Sequence, residues 1–358
     1  MEHTNNTLEV TDAKFTDATR LLFPKPERRQ SMQGFIDDYV DIVDYIVRIT
    51  HKIWEERNLG LIEEYYLDKI LIHTSDGQTH DRNSVIAASA AVMSAFPDIR
   101  LFADDVIWSG NDRDGFHSSH RITWIGRNLG HSVYGPPTGK KVVRQGIAHC
   151  FVKDNMIVEE WICRDELALV QQLGLDPVAT AKHLAYNSAS VGRENFTDNK
   201  GEVDRLFGQL PTRAIDNDTT HPKGLVQELF HEVWNRRMVG KLKDYYAPNL
   251  YARTPGHKMT YGLGDYSAYV FALIAAFPDI SLTIDHQCMV GDDEEARVAT
   301  RWFLHGTHLG PGPWGEPTGK PVSVWGISHH EISKGRIQKE WMLFDMFAML
   351  KQIYWPVS

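Results

Sequence analysis

Apolar residues at three- and four-residue spacing predict helices at the start of the chain. A second, short helix is predicted around Leu61 and Tyr65. A third runs from about Arg82 and stops before Pro97, because proline cannot continue a helix. The first helix is predicted from the spacing of Ile36, Tyr39, Val40, Val43, Ile46, Val47, Ile53 and Trp54.

The pattern then changes to longer runs that are typical of strands. A short strand is predicted at 70–74, and four longer ones at 99–108, 116–126, 141–153 and 156–164. Glycine and Asn-Asp breaks between the longer runs favour antiparallel connections. Helices followed by strands indicate an α+β module, with helices packed on one face of a curved sheet. Such a half-cone would enclose a pocket between the sheet and the helices.

The chain repeats itself at a separation of 180 positions, with one stretch offset by 181. So many identities in register indicate a tandem duplication. We predict module 1 at 33–175 and module 2 at 223–358, joined by a linker at 176–222 with a short helix near 178–186. Residues 1–32 would form a polar leader. The recurring pairs include Trp54 and Trp234, 95–99 and 276–280, 137–140 and 317–320, Glu160-Trp161 and Glu340-Trp341, and Asp165 and Asp345.

Composition narrows the class of protein. The 358 residues are 42% hydrophobic, typical of a globular fold, and the net charge of -9 gives no reason to expect nucleic acid or an anionic membrane as partner. No apolar run reaches the roughly 18 residues of a membrane span, and the start lacks an apolar signal core, so a cytoplasmic location is expected. The three cysteines have no CxxC spacing, which argues against a disulfide framework or zinc knuckle.

Several motifs of the repeat carry a family resemblance. Module 2 contains the segments 299–302, 306–310, 317–320 and 335–337, followed by Glu340-Trp341 and Asp345. Module 1 shares Arg121, Gly126, 129–130, 137–140, Trp161 and Asp165. Both modules resemble the SnoaL-like polyketide cyclase (ester cyclase) family of the nuclear transport factor 2-like superfamily.

The resemblance implies two tandem cone-shaped α+β barrels, each a curved antiparallel sheet with helices on one face and an apolar cavity. It implies an intramolecular aldol closure without cofactor or metal. It also implies that an aspartate shortly after the tryptophan of the last strand moves the proton, a position matched by Asp165 and Asp345.

The residues around Asp165 support this role independently. Strand periodicity puts Trp161, Cys163 and Asp165 on one face. Apolar neighbours would desolvate the carboxylate and raise its pKa, which suits proton transfer near neutral pH. The alternative is a helix N-cap, since Asp165 precedes a helix-prone segment, and both roles can hold together.

Histidines and aromatic residues complete the candidate set. His149 and His329 precede their aspartates by sixteen positions and could donate to a carbonyl or enolate oxygen, or serve structure alone. The neighbouring His330 leaves the inward residue of module 2 open. His117 and His120 would face opposite sides of a strand, so no metal site is predicted. The residues predicted to bind substrate are His73, His120, Trp124, Trp161, Arg253 and Trp341.

These features predict a cofactor-independent acid/base enzyme of the lyase or isomerase type. Its substrate would be a small or medium enolisable carbonyl compound, undergoing aldol-type cyclisation, isomerisation or elimination in an apolar cavity. The alternatives are an epoxide or lactone hydrolase on the same fold and a non-catalytic small-ligand-binding protein. The two modules are expected to form an intrachain pseudo-dimer, and further homo-oligomerisation stays open.

Overall fold

The computed structural model describes residues 10–14, 27–198 and 218–356. The chain divides into two compact units: unit 1 comprises 1–73 and 79–162, and unit 2 comprises 74–78 and 163–358. Most of the predicted leader and residues 199–217 of the predicted linker lie outside the described residues. None of the described helices is long and apolar enough to cross a bilayer.

The first half of the chain follows the predicted order of helices and strands. Helix α1 begins at Ile42 rather than near Ile36, because Asp41 caps it by accepting a hydrogen bond from the Asp44 backbone N–H at 2.9 Å. The elements are α1 (Ile42–Trp54), α2 (Leu61–Tyr65), β1 (Tyr66–Thr74), β2 (Gly77–Thr79), α3 (Arg82–Ala95), β3 (Arg100–Asn111), β4 (Gly115–Arg127), β5 (Lys141–Lys153) and β6 (Met156–Arg164).

The second half repeats this order after two connecting helices. A π-helix (Phe230–Asn235) continues α6, at the position that corresponds to the last turn of α1 in the first half. The elements are α4 (Glu166–Gln172), α5 (Pro177–Ser190), α6 (Pro222–Leu229), α7 (Leu242–Tyr245), β7 (Tyr246–Thr254), β8 (Lys258–Tyr261), α8 (Gly262–Ala276), β9 (Ser281–Gly291), β10 (Glu295–Thr307), β11 (Pro321–Ser333), β12 (Arg336–Phe344) and α9 (Met346–Ile353), with short 3-10 turns at Phe196–Asp198 and Val239–Lys241.

Each half contains one six-stranded sheet. The strand orders are β2-β1-β6-β5-β4-β3 and β8-β7-β12-β11-β10-β9. The pairs β1–β6 and β7–β12 are parallel, so the sheets are mixed rather than antiparallel throughout as predicted. Among the described strands both sheets keep two edges, so each is an open curved sheet and not a closed barrel.

The packing of α1 identifies the two faces of the unit 1 sheet. Cys150 and Val152 belong to one core with Tyr45 and Ile46 of α1, and Ala148 packs against that core. Since side chains alternate along a strand, even-numbered residues of β5 lie on this helix face. The odd-numbered residues, including His149, lie on the opposite face.

Candidate active site

Asp165 caps the helix that follows β6. Its carboxylate accepts hydrogen bonds from the backbone N–H groups of Ala168 at 3.1 Å and of Gly256 and His257 at 2.9 Å each, all within unit 2. Burial raises the pKa of Asp165, although these three hydrogen bonds oppose the shift. The capping role is therefore present, and the acid/base role stays a prediction.

Asp345 caps α9 in the same way, accepting the Ala348 N–H at 2.9 Å. Burial, together with the negative charge of Glu166, raises the pKa of Asp345 to about 8, against the lowering effect of Lys351. The desolvation expected for both aspartates is thus present. The Asp345 carboxylate lies at the start of α9 and the residue is 6% exposed.

The two predicted histidines lie away from the helices. His149 is buried on the opposite face, where its Nε2 is 3.4 Å from Nδ1 of His117. In unit 2, His329 of β11 lies opposite Trp341 of β12 in the strand register, and His330 lies opposite Glu340. His330 packs edge-on against Phe230 at 6.5 Å between ring centroids. The residue of module 2 that faces the helices is therefore His330.

Four of the six predicted substrate-binding residues also lie on the opposite faces. His73 stacks on Trp161 with ring centroids 4.6 Å apart, and its Nε2 is 2.7 Å from a carboxylate oxygen of Glu159. Arg253 and Trp341 form the corresponding register pair of unit 2. Substrate binding by these four residues stays a prediction.

The helix face of the unit 1 sheet contains accessible apolar surface. Ile122 of β4, Gly146 and Ala148 of β5 and Ile162 of β6 are neighbouring positions on this face, and all four are half-buried. Ala148 and Ile162 pack against the core that α1 helps to form. We call the space beside these four residues the unit 1 hollow.

Buried polar side chains lie at one end of the unit 1 hollow. His120, which pairs with Ala148, is 2% exposed, and Glu160 is 6% exposed. The Cys150 thiol donates to Oε1 of Glu160 at 3.8 Å. Burial raises the pKa of Cys150 well above its usual range, and the charge of Glu160 adds to the shift. The thiol is thus a proton donor beside a carboxylate.

The other predicted binding residue on this face, Trp124, lies beyond Ile122. Its ring packs edge-on against Phe96 at 5.1 Å. The guanidinium of Arg144, the register partner of Trp124, lies 4.1 Å from the ring centroid. The unit 1 hollow therefore has a carboxylate, a thiol and an imidazole at one end and a stacked cation at the other.

The corresponding space of unit 2 is filled. Trp302 takes the position of Ile122 and is fully buried, with Phe344 and Phe230 packed edge-on against it at 5.6 and 6.2 Å. Its indole lies so close to Gly326 that a Cβ there would collide with the ring. Its Nε1 donates to Ser328 Oγ at 3.1 Å. Unit 2 has thus packed its own side chains where unit 1 keeps accessible surface.

Glu340, the counterpart of Glu160, is enclosed in a hydrogen-bond network. It accepts hydrogen bonds from Tyr246 at 2.8 Å and Tyr266 at 2.5 Å, and lies 3.2 Å from Nε2 of His330. Burial alone would raise the pKa of Glu340, but the charge of His330 and these hydrogen bonds outweigh it and lower the pKa. All four residues are at most 1% exposed, so the network is sealed as it stands.

Glu160 and Glu340 were not predicted as functional candidates from the sequence. Both were recognised only as parts of a repeated Glu-Trp pair. A glutamate that recurs within a largely apolar strand was the available signal, because an unpaired buried carboxylate is costly. Periodicity would then have placed Glu160 on the face opposite to Trp161.

A family model for SnoaL-like polyketide cyclases matches residues 44–173 and 224–353, well over half of the chain. The chain therefore belongs to the SnoaL-like polyketide cyclase family, and each match covers one copy of the duplication. Among curated proteins, none matches the chain.

Three of the solved structures similar to the chain cover 37–40% of it. One is a proposed SnoaL-like polyketide cyclase from Jannaschia Sp. CCS1, 18% identical, covering 40% of this chain and 98% of its own, with a TM-score of 0.35. Another is AclR from Streptomyces galilaeus, a proposed hydroxylase, at 22% identity, 37% and 93% coverage and a TM-score of 0.32. A third is IdmH from Streptomyces antibioticus, a proposed polyketide cyclase. It is 24% identical, covers 37% of this chain and 97% of its own, and has a TM-score of 0.33.

Proposed function

We propose that the chain is a cofactor-independent acid/base enzyme whose reaction takes place in the unit 1 hollow. Its substrate is a small or medium enolisable carbonyl compound, and the reaction class is aldol-type cyclisation, isomerisation or elimination. The observation that carries the proposal is the position of Glu160 and His120 on the helix face, next to accessible apolar surface.

Glu160 suits the role of the base. A carboxylate in a partly desolvated site loses stabilising water and becomes a stronger proton acceptor. In unit 2 the equivalent Glu340 is held by Tyr246, Tyr266 and His330. Unit 1 keeps a tyrosine, Tyr66, at the first of these three positions and has Val85 and Cys150 at the other two, so the surroundings of Glu160 differ from those of Glu340.

The proton balance of the proposed step is simple. Glu160 takes a proton from the carbon next to the substrate carbonyl; the electron pair of that C–H bond forms the C=C bond of the enolate, and the π pair of the carbonyl moves to its oxygen. His120 donates a hydrogen bond or proton to the resulting enolate oxygen. The enolate carbon then attacks a second carbonyl, whose oxygen takes up the proton from Glu160. In the other two reactions the enolate is reprotonated at another carbon or expels a leaving group from the neighbouring carbon.

Asp165 and Asp345 remain competing predictions for the base. Their carboxylates accept backbone N–H groups at helix starts, and these bonds would have to be given up or shared during proton transfer. Glu160 requires no such loss of a helix cap. We therefore place the reaction at Glu160.

Exchange of substrate protons for deuterium tests the proposal without knowledge of the later steps. The protein would be incubated in D2O with a panel of enolisable ketones and 1,3-dicarbonyl compounds, including the bicyclic 2-tetralone, and deuterium uptake followed by NMR. We expect catalysed exchange with at least one compound. Glu160→Gln should lower the rate by about 100-fold or more, the usual contribution of a general base.

Glu159→Gln provides a matched control, because Glu159 lies on the same strand but bonds to His73 on the opposite face. It should exchange at the rate of the unmodified protein. Unchanged exchange in Glu160→Gln, or loss of exchange only in Asp165→Asn or Asp345→Asn, would contradict the proposal. So would the absence of catalysed exchange across the whole panel.

A further inference from the structure

A buried cation stands at the end of the unit 1 hollow away from Glu160. Arg144 is 6% exposed, and its guanidinium packs over the Trp124 ring. Along β4 and β5 the pair Trp124–Arg144 is followed by Ile122–Gly146 and then by His120–Ala148. A ligand that covers Gly146 therefore has Arg144 on one side and His120 on the other.

From this arrangement we infer that the substrate carries a carboxylate, and that Arg144 binds it. The inference rests on the proposed function in placing the substrate in the unit 1 hollow. A guanidinium stacked on an aromatic ring still presents its N–H groups at the edge, where they match the two oxygens of a carboxylate. The stacking also fixes the side chain before binding, which lowers the entropy lost on binding.

Unit 2 shows that the fold does not need this cation. Its equivalent positions are Leu304 and Val324, both buried and apolar. Burying a cation costs free energy that a packed leucine and valine avoid. The pair Trp124–Arg144 thus occurs in unit 1, whose helix face has accessible surface. Unit 2, whose corresponding space is filled, lacks this pair.

Unit 2 also indicates the size of the ligand. There the six-membered ring of the Trp302 indole lies against Gly326, at the position where unit 1 has Ile122 beside Gly146. Ser328, which accepts the hydrogen bond of this indole, corresponds to Ala148. A planar group of two fused rings is therefore the shape that this floor accommodates. From Arg144 to Ala148 the strand spans about 13 Å, enough for two rings and a carboxylate.

Calorimetric binding of two probes of equal shape tests the inference. 2-Naphthoate carries the carboxylate, and 2-naphthamide is its neutral counterpart. The unmodified protein should bind 2-naphthoate more tightly. Arg144→Met should weaken the binding of 2-naphthoate at least tenfold, which corresponds to about 1.4 kcal/mol. Its affinity for 2-naphthamide should stay within about twofold of that of the unmodified protein. Arg144→Lys keeps the charge without the planar guanidinium, so its affinity for 2-naphthoate should lie between those of the unmodified protein and Arg144→Met.

Two further variants serve as controls. Arg113→Met removes a cation from the exposed turn between β3 and β4 and should change neither affinity. Ile122→Trp copies the filling residue of unit 2 and should abolish binding of both probes, while circular dichroism shows a folded protein. Equal affinity of the unmodified protein for the two probes, no binding of either, or an equal loss of both in Arg144→Met would overturn the inference.

Binding and exchange fail separately. If Arg144 selects 2-naphthoate but Glu160→Gln exchanges normally, the carboxylate site stands and the proposed base is wrong. If Glu160→Gln loses exchange but Arg144→Met binds both probes as before, the proposed function stands and the carboxylate site is wrong.

Discussion

Replacing Asp345 by asparagine separates its structural role from a catalytic one. Burial raises the pKa of Asp345 from the ordinary 3.8 to about 8, so the folded protein retains a proton that the unfolded chain releases. The resulting stability is complete below the unfolded pKa and is lost as the pH rises through the interval up to about 8. A pKa that differs by one between the folded and unfolded states corresponds to about 1.4 kcal/mol, so the interval from 3.8 to about 8 sets an upper limit of about 6 kcal/mol.

Asparagine caps a helix about as well as aspartate but carries no charge. Asp345→Asn should therefore keep the bond to Ala348 N–H and lose the pH dependence. Between pH 5 and pH 8.5 the unmodified protein should lose about 1–3 kcal/mol of stability that Asp345→Asn does not lose. Urea unfolding at the two pH values measures this difference directly.

The control is Asp176→Asn, at the cap of α5, where the exposed side chain accepts the Ala179 N–H at 2.6 Å. Its two stabilities should follow those of the unmodified protein. The same fall in stability between pH 5 and pH 8.5 in Asp345→Asn would show that this carboxyl does not cause it. Loss of proton exchange in a stable Asp345→Asn would instead return the catalytic role to this aspartate.

Three further predictions concern the packing of the two sheets. Gly326→Ala should lower the free energy of unfolding, measured by urea titration, by about 1–3 kcal/mol because the added methyl meets the indole of Trp302. Combining it with Trp302→Ile should restore part of this loss. Trp302→Ile alone should cost about 2–4 kcal/mol in the same titration, since it leaves a cavity among buried aromatic rings. Ile122→Trp should stop deuterium exchange while thermal unfolding stays cooperative; exchange at the unmodified rate would show that the reaction lies elsewhere.

The sequence predicted the duplication and most of the strands because both are recorded in local pattern. The bounds of β5 and β6 agree with the predicted 141–153 and 156–164. Strand β2 was missed, since three residues carry too little periodicity to identify a strand. The parallel pairing of β1 with β6 was missed as well, because it joins strands that are far apart in the chain.

The candidate site was only partly predictable, and the reason is geometric. Periodicity correctly separated His117 from His120, whose register partners in β5 are Phe151 and Ala148. It does not say which face the helices cover, because that depends on contacts such as those of Tyr45 and Ile46 with β5. Glu160 on the helix face was therefore overlooked, while His149 of the opposite face was predicted to be catalytic.

The difference between the two copies likewise required coordinates. Ile122 and Trp302 are both apolar residues in matching strands, and nothing in their sequence context indicates that only one fills its surroundings. The indole lies over Gly326 because a glycine at that position permits the approach. The same glycine in unit 1 lies beneath accessible surface.

The most direct test of this account is a crystal structure of the protein soaked with 2-naphthoate. We predict electron density for the fused rings over Gly146, with the carboxylate at the Arg144 guanidinium and the far ring edge toward His120. No ligand should occupy the helix face of the unit 2 sheet, where Trp302 stands. A ligand beside His149 and Trp161 on the opposite face, or one that displaces Trp302 while Gly146 stays uncovered, would contradict the account.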